Sequence, residues 1–199
     1  MATALNIAAQ IKQLLLSVQQ PVLAPYLADW PSKGPCRAVA ACELPVLRWL
    51  AQMAGDAAFG VELVAAVARA APSLAWRRTY TAQELGAAFI DNYGWSEIFG
   101  GNGPIACDGI ACGFLILGPA THYPRHRHEA EEIYLPLSGT AAWQQGDAIW
   151  REHPPGTLIH HVSNEPHAMR TGAGPLLALY LWRSANLTQK ARLDTAVLS

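Results

Sequence analysis

The chain has 199 residues, of which 51% are hydrophobic and 15% charged, so it can bury a sizeable core and is not disordered as a whole. Fourteen Lys and Arg residues against fifteen Asp and Glu residues give a formal charge of −1, which provides no basic surface for a nucleic acid. The segment up to Pro21 lacks a basic n-region, no apolar run is long enough to span a membrane, and four scattered cysteines make no disulfide framework. We therefore expect a cytoplasmic protein with neither nucleic-acid nor membrane partners.

Residues 1–92 carry their apolar side chains at helical spacing and are expected to form an N-terminal helical extension. A bundle this short cannot bury its apolar faces alone, so we expect it to pack on the part of the chain that follows. The predicted helices are one that ends before Pro21, one over 47–53, one over 61–70, and one that begins after Thr81 and ends near Asn92.

Two of these helices can be described in more detail. The helix over 61–70 is expected to bury a stripe of Val61, Val64, Ala65 and Ala68. The last helix begins with Thr81 and has Glu84 three residues later. This spacing is that of a capping box, in which each side chain satisfies a backbone N–H of the first turn.

From Tyr93 onward the period of the sequence changes. Short runs of β-branched, aromatic and aliphatic residues alternate with turn signals about every ten residues, a pattern typical of a β-sandwich or small barrel. Asp108-Gly109 and Gly146-Asp147 are hairpin signals. The predicted strands include 110–117, 132–137, 141–144, 148–151 and 176–182.

All seven histidines lie between His122 and His167, in the β half of the chain. His126 and His128 are two residues apart and share one face of a strand, as do Glu132 and Tyr134 on the next strand. If the turn between them brings these faces together, two imidazoles, a carboxylate and a phenol converge on one point. Such donors suit a divalent transition metal, whose shell a histidine from a distant strand would complete; the alternative is a solvated polar patch.

Residues 126–139 resemble the first motif of the cupin superfamily, with the pattern His-x-His, Glu132 and Gly139. The resemblance implies a mainly β fold, a single cupin (a small antiparallel β-barrel or jelly roll) over residues 93–199, which carries the metal site. The second cupin motif supplies one more histidine. Its best match is His167 in Pro166-His167-Ala168-Met169, and His160 and His161 are the alternatives.

The resemblance narrows to the cupin-type dimethylsulfoniopropionate (DMSP) lyases, particularly the DddQ-like branch. It rests on Tyr123, the Ala-Glu-Glu-Ile-Tyr run before Leu135, the motif W-R-R-T-Y-T at 76–81 and L-W-R at 181–183. It implies β-elimination of DMSP to dimethyl sulfide and acrylate with one divalent metal per chain, of Zn, Fe, Mn, Ni or Co. The implied metal ligands are His126 or His128 or both, Glu132 and His167, and the implied reactive phenols are Tyr134 and Tyr123.

The metal and side chains that the resemblance implies are able to carry out this reaction. A metal that coordinates the substrate carboxylate makes the α-proton more acidic, and either Tyr134 or Tyr123 can serve as the base. An aromatic wall can hold the departing sulfonium by cation–π contact. The candidate wall residues are Trp95, Trp143, Tyr180 and Trp182, and the alternative for each of them is a place in the apolar core.

The remaining histidines, His122, His153, His160 and His161, are interpreted as structural or surface residues. Arg125 and Arg127 are out of phase with the two metal-ligand candidates of their strand and should point away from the metal. Two other functions stay open at this point. One is a different metal-dependent small-molecule cupin enzyme, such as a dioxygenase or isomerase, and the other is a non-catalytic ligand-binding cupin. A homodimer is compatible with these features.

Overall fold

The computed structural model describes residues 2–31 and 35–194, in which helices precede most of the strands. Short 3-10 turns lie at Pro21–Leu23, Pro45–Trp49 and Ala71–Ser73. The helices of the described residues are α1 (Ala2–Val18), α2 (Ala24–Ala28), α3 (Leu50–Gly55), α4 (Val61–Ala70), α5 (Ala82–Leu85) and α6 (Ala87–Asp91).

The strands of the described residues form two sheets. The larger has the order β1-β2-β4-β11-β6-β9, with β3 attached to β2, and the smaller has the order β12-β5-β10-β7-β8. The strands are β1 (Trp76–Arg77), β2 (Tyr93–Gly100), β3 (Ile105–Ala106), β4 (Ile110–Leu117), β5 (His122–Arg127), β6 (Glu131–Ser138), β7 (Ala141–Gln145), β8 (Arg151–His153), β9 (Ile159–His161), β10 (His167–Thr171), β11 (Leu176–Arg183) and β12 (Arg192–Leu193). The mainly antiparallel β architecture expected from the sequence is confirmed.

The larger sheet is buried on both faces, which explains why its central strands are apolar at nearly every position. On β11, Leu177, Leu179 and Leu181 belong to one apolar cluster with helical residues such as those of α1 and α4. Ala178 and Tyr180, the alternate positions, belong to a second cluster that also contains residues of the smaller sheet. Because side chains alternate along a strand, the helices cover one face and the smaller sheet covers the other.

The end of α1 and the start of α5 follow the predicted local signals, whereas the helix predicted over 47–53 begins only at Leu50, as α3, after a 3-10 turn. α1 ends at Val18 and buries Ile7, Ile11 and Leu15, as its spacing predicts. The capping box is present, since Thr81 Oγ1 accepts from the Glu84 N–H at 3.3 Å and a Glu84 carboxylate oxygen accepts from the Thr81 N–H at 2.8 Å. The predicted fourth helix is interrupted at Gly86, whose φ of +81° does not continue a right-handed helix, so it becomes α5 and α6.

The predicted apolar stripe of α4 is wrong in phase, although the bounds of the helix are right. Val61 is 53% exposed, and Ala65 and Ala68 are only partly buried. Apolar residues occupy most positions of this helix, so periodicity alone does not select the covered face. The buried residues are Leu63, Val64, Ala66, Val67 and Ala70.

The hairpin predicted at Asp108-Gly109 is also wrong. β3, which precedes these residues, pairs in parallel with β2, while β4 pairs with β2 and β11. The N–H of Ala106 donates to the Pro35 carbonyl at 2.9 Å, so β3 is held by β2 and by the segment around Pro35 rather than by β4. At Gly146-Asp147 a hairpin does form, but β8 begins only at Arg151, because residues 148–150 belong to the connection.

Among residues 2–31 and 35–194, no helix combines the length and the apolar character that crossing a membrane requires.

Gly139 between β6 and β7 is a site where the fold requires glycine. Its φ is +80°, and a Cβ at this position would overlap the Pro175 carbonyl oxygen. We expect Gly139→Ala to lower the free energy of unfolding by at least about 2 kcal/mol, because backbone strain and a steric clash add. Urea denaturation measures the loss. Gly172→Ala is the matched control, since a Cβ there meets no atom within 4 Å; equal stability of the two variants would contradict the prediction.

Candidate metal centre

Three buried imidazoles converge between the two sheets. His126 lies on β5, His128 directly follows β5, and His167 begins β10; they are 1%, 3% and 1% exposed. β5 and β10 are antiparallel neighbours with His167 opposite His126, and the pairing is irregular directly after His167. One ligand nitrogen of each ring lies within 4.8 Å of the others. The three histidines therefore form a group that is able to hold a metal ion.

The backbone fixes the tautomer of each of these rings. Their Nδ1 atoms lie 2.8 to 2.9 Å from carbonyl oxygens two residues away, those of Pro124, Ala130 and Glu165. A carbonyl only accepts, so each Nδ1 carries the proton and donates it, which leaves Nε2 of a neutral ring as a lone pair. Metal-binding histidines are oriented in this way.

Glu132 adds a carboxylate to the three imidazoles. It lies on β6 and is 1% exposed, and its Oε2 is 3.1 Å from His128 Nε2 and 3.2 Å from His167 Nε2. The other carboxylate oxygen accepts a 2.5 Å hydrogen bond from the Trp182 indole N–H. Burial raises the pKa of Glu132, but the neighbouring His128 and His167 lower it by more, so the pKa lies well below its usual range. The carboxylate is therefore ionised.

The approach of Glu132 to His167 lacks hydrogen-bond geometry. His167 Nε2 is buried and has no hydrogen-bond partner among the described residues. At His128, burial lowers the pKa but the Glu132 charge raises it by more. A ligand-free centre thus holds a buried carboxylate against nitrogen lone pairs, an arrangement that requires a proton or a cation between them.

The two predicted phenols lie beside this cluster. The Tyr123 ring stacks on His126 with centroids 4.0 Å apart and an interplanar angle of 8°. Its hydroxyl donates to the Tyr80 hydroxyl at 3.3 Å. Tyr134 lies two residues after Glu132 on β6 and its phenol interacts with that carboxylate. Burial raises the pKa of both phenols well above the usual value, and at Tyr134 the Glu132 charge raises it further.

A cavity of about 730 Å³ opens onto the cluster. Of the four predicted wall residues, Trp95, Tyr180 and Trp182 line it. Trp182 also stacks on His128, with centroids 4.3 Å apart. Trp143 is 1% exposed and is not among the lining residues; its ring lies 6.3 Å from that of Tyr134. Trp143 therefore packs behind Tyr134 in the interior, contrary to its predicted position.

Of the two interpretations of His161, structural or surface, the structure agrees with the structural one. It is 0% exposed, and its ring stacks on His167 with centroids 4.0 Å apart and an angle of 15°. β9 pairs it directly opposite Glu132. Burial, followed by the proximity of His167, lowers the pKa of His161 to about 3, so the ring is neutral. Strand alternation from the buried Ile159 accounts for its inward position.

The other charged and imidazole groups lie outside the cluster. His122 is exposed, and His160 pairs with Glu131 at 2.7 Å. Arg125 and Arg127 both bind Asp194 and point away from the centre, as predicted. Sequence reasoning missed the cavity-lining segments 39–44 and 187–191, since neither has a regular period or motif.

Comparison with known proteins identifies the family to which the chain is related. Residues 22–178 match the family of dimethylsulfoniopropionate lyases. The chain is 40% identical over 108 residues to the DMSP lyase DddQ of Ruegeria pomeroyi. These residues make up 54% of this chain and 54% of that relative. It is 36% identical over 119 residues to a putative DMSP lyase, DddL, of Cereibacter sphaeroides, which is 59% of this chain and 49% of that relative. The matches thus span about half the length of these curated relatives.

Solved structures agree with the sequence matches. The crystal structure of R. pomeroyi DddQ superposes with a TM-score of 0.84 at 29% identity, over 97% of this chain and 96% of that one. A cupin-2 domain from Rhodospirillum rubrum matches with a TM-score of 0.50 at 21% identity, over 63% of this chain and 78% of that one, which shows the cupin fold alone. The predicted cupin architecture is confirmed. Since the family match covers most of its residues, the chain belongs to the DMSP lyase family.

Proposed function

We propose that this protein cleaves DMSP by β-elimination to dimethyl sulfide and acrylate at a divalent metal held by His126, His128, Glu132 and His167. The names of its relatives support the reaction. The observation that carries the proposal for this chain is the buried cluster of lone pairs at the end of a cavity, with two phenols beside it. The substrate is accordingly a small molecule.

The donor set fits a metal ion. With Nδ1 protonated, the Nε2 atoms of His128 and His167 oppose a carboxylate oxygen at 3.1 and 3.2 Å. Metal–ligand bonds of about 2.0–2.2 Å put neighbouring donors about 3 Å apart, so these separations suit a shared ion. Three imidazoles and one carboxylate favour Zn, Fe, Mn, Ni or Co over Mg or Ca. When bound, the ion would polarise the substrate carboxylate and lower the pKa of a nearby phenol.

Tyr134 is the proposed base that takes the proton α to the carboxylate. Tyr134 and Glu132 both line the cavity, and the Tyr134 phenol interacts with that carboxylate. The Tyr123 hydroxyl donates its hydrogen bond to Tyr80, which favours a role for Tyr123 in orienting the substrate. Because burial raises the pKa of both phenols, ionisation of either requires positive charge in the centre.

The sulfonium end of the substrate is proposed to lie against Trp95, Tyr180 and Trp182. These rings line the cavity, and Trp182 is fixed by its bond to Glu132. A sulfonium has no hydrogen-bond donor, so the negative faces of aromatic rings are suitable partners, with a contribution of about 0.5–2 kcal/mol. The positive end of the substrate would thus lie beside the wall while its carboxylate reaches the ligands.

The direct test is headspace detection of dimethyl sulfide after mixing the protein with DMSP. Metal-free protein is loaded separately with Zn²⁺, Fe²⁺, Mn²⁺, Ni²⁺ and Co²⁺, with a chelated sample as control. We expect release with at least one of these ions and its loss on chelation. Absence of release with every ion, in folded protein that binds metal, would contradict the proposed substrate.

His167→Ala tests whether His167 is a metal ligand. It removes a buried donor, so we expect loss of bound metal and of dimethyl sulfide release together. Elemental analysis after dialysis measures the metal. His122→Ala is the matched control, because this exposed ring lies outside the cluster and should leave both unchanged. Full metal content in His167→Ala would exclude it as a ligand.

Tyr134→Phe tests whether Tyr134 acts as the base without being a metal ligand. We expect retained metal and a fall in kcat of about 100-fold or more, the usual effect of removing a general base. Tyr123→Phe should keep metal and lose less activity, since its hydroxyl bonds away from the ligands. Steady-state rates with metal-loaded variants check both values. A larger loss in Tyr123→Phe than in Tyr134→Phe would exchange the two roles.

A further inference from the structure

Tyr80 is a buried phenol that the proposed chemistry does not use. It is 4% exposed, lies between β1 and α5, and is separated from the imidazoles by Tyr123. The two rings meet edge to face with centroids 5.9 Å apart. The Tyr80 hydroxyl accepts from Tyr123 at 3.3 Å and donates to the Ala191 carbonyl at 3.3 Å. One hydroxyl therefore has two partners in different parts of the chain.

The second partner belongs to the segment 187–191, which lines the cavity. This segment lies between β11 and β12 and has no strand or helix of its own. Its Lys190 ammonium is 2.5 Å from Glu84 and 5.1 Å from the centre of the Tyr80 ring. Gln189 accepts the N–H of Glu129, directly after the ligand candidate His128. The attachments of the segment are therefore side-chain contacts rather than a backbone ladder.

The donors and acceptors of a phenol determine the direction of these hydrogen bonds. A phenol has one proton to donate and lone pairs to accept. Since Tyr80 gives its proton to a carbonyl, which only accepts, the bond from Tyr123 must run toward Tyr80. Burial raises the pKa of Tyr80, so the proton stays in place. The Tyr123 proton is thereby directed away from His126, on which the Tyr123 ring stacks.

We propose that Tyr80 is a positioning residue that holds the Tyr123 phenol against the metal centre and, through the same hydroxyl, fixes the segment 187–191 over the cavity. Placement of the segment and placement of the phenol then both depend on the Tyr80 hydroxyl. The consequence for turnover rests on the proposed lyase function, whereas the attachment of the segment does not.

The test uses full-length, metal-loaded Tyr80→Phe, which keeps the ring and loses both hydrogen bonds. We expect amide hydrogen exchange in 187–193 to become about fivefold to tenfold faster, the effect of one lost hydrogen bond. With DMSP, kcat should fall and KM should rise by similar factors, while bound metal and the Co²⁺ absorption spectrum stay unchanged. Tyr26→Phe is the matched control, since this buried hydroxyl has no hydrogen-bond partner among the described residues.

Two further variants separate the halves of the proposal. Tyr123→Phe keeps the Tyr80 bond to Ala191, so exchange in 187–193 should stay at the wild-type rate. Lys190→Gln removes the contact with Glu84 but not the two phenol bonds. It should therefore accelerate exchange and raise KM without lowering kcat. A fall in kcat in this variant would contradict the assignment of the kcat effect to the two phenol bonds.

Wild-type exchange in Tyr80→Phe would overturn the attachment of the segment by Tyr80. Wild-type kcat in Tyr80→Phe with accelerated exchange would overturn the positioning of Tyr123. If the wild-type protein releases no dimethyl sulfide with any metal, the proposed function fails. The exchange rates then still decide whether Tyr80 fixes the segment.

Discussion

A buried carboxylate that faces imidazole lone pairs is the constraint on which this structure depends. Glu132 is ionised inside an apolar interior, and the hydrogen bonds of the rings have already used the Nδ1 protons of His128 and His167. Removing one charge of a buried pair leaves the other uncompensated at a cost of about 3–5 kcal/mol. A cation at this point satisfies all donors at once, which is the physical reason to place a metal here.

The donors keep their positions because each has a second partner outside the cluster. Three carbonyl oxygens hold the rings, and Trp182 holds the free oxygen of Glu132. Trp182 thus has two roles, since the ring that lines the cavity also orients a ligand and stacks on His128. The neutral His161 covers His167 from the side. Such outer contacts set the orientation and basicity of metal ligands.

Much of this arrangement could be predicted from the sequence, because the relevant signals are local. Strand alternation places His126 and His128 on one face and Glu132 on a face of the next strand, and α1 and the capping box at Thr81 follow from short patterns. The errors concern long-range packing. The face that α4 buries, the parallel pairing of β3 with β2, and the position of Trp143 behind Tyr134 depend on partners distant in sequence.

The same distinction explains why His161 and Tyr80 were not recognised as part of the centre. His161 follows the alternation of β9, but this strand is only three residues long and is bounded by turn residues, so the sequence left a structural and a surface position open. Tyr80 was visible only within a motif, and its bonds to Tyr123 and Ala191 span 43 and 111 residues of sequence. Contacts over such separations have no periodic signature.

The environment of Tyr134 shows why the proposed base and the proposed metal ligands must be considered together. A phenol in this interior is protonated at neutral pH, since burial and the Glu132 charge both raise its pKa. The carboxylate that helps to hold a cation therefore opposes ionisation of the neighbouring phenol. A divalent ion reverses the sign of that local field, because its two positive charges outweigh the single negative charge of Glu132. The metal-free centre thus holds a neutral phenol, and in the proposed reaction a bound divalent ion would be needed to make Tyr134 basic enough to remove a weakly acidic proton.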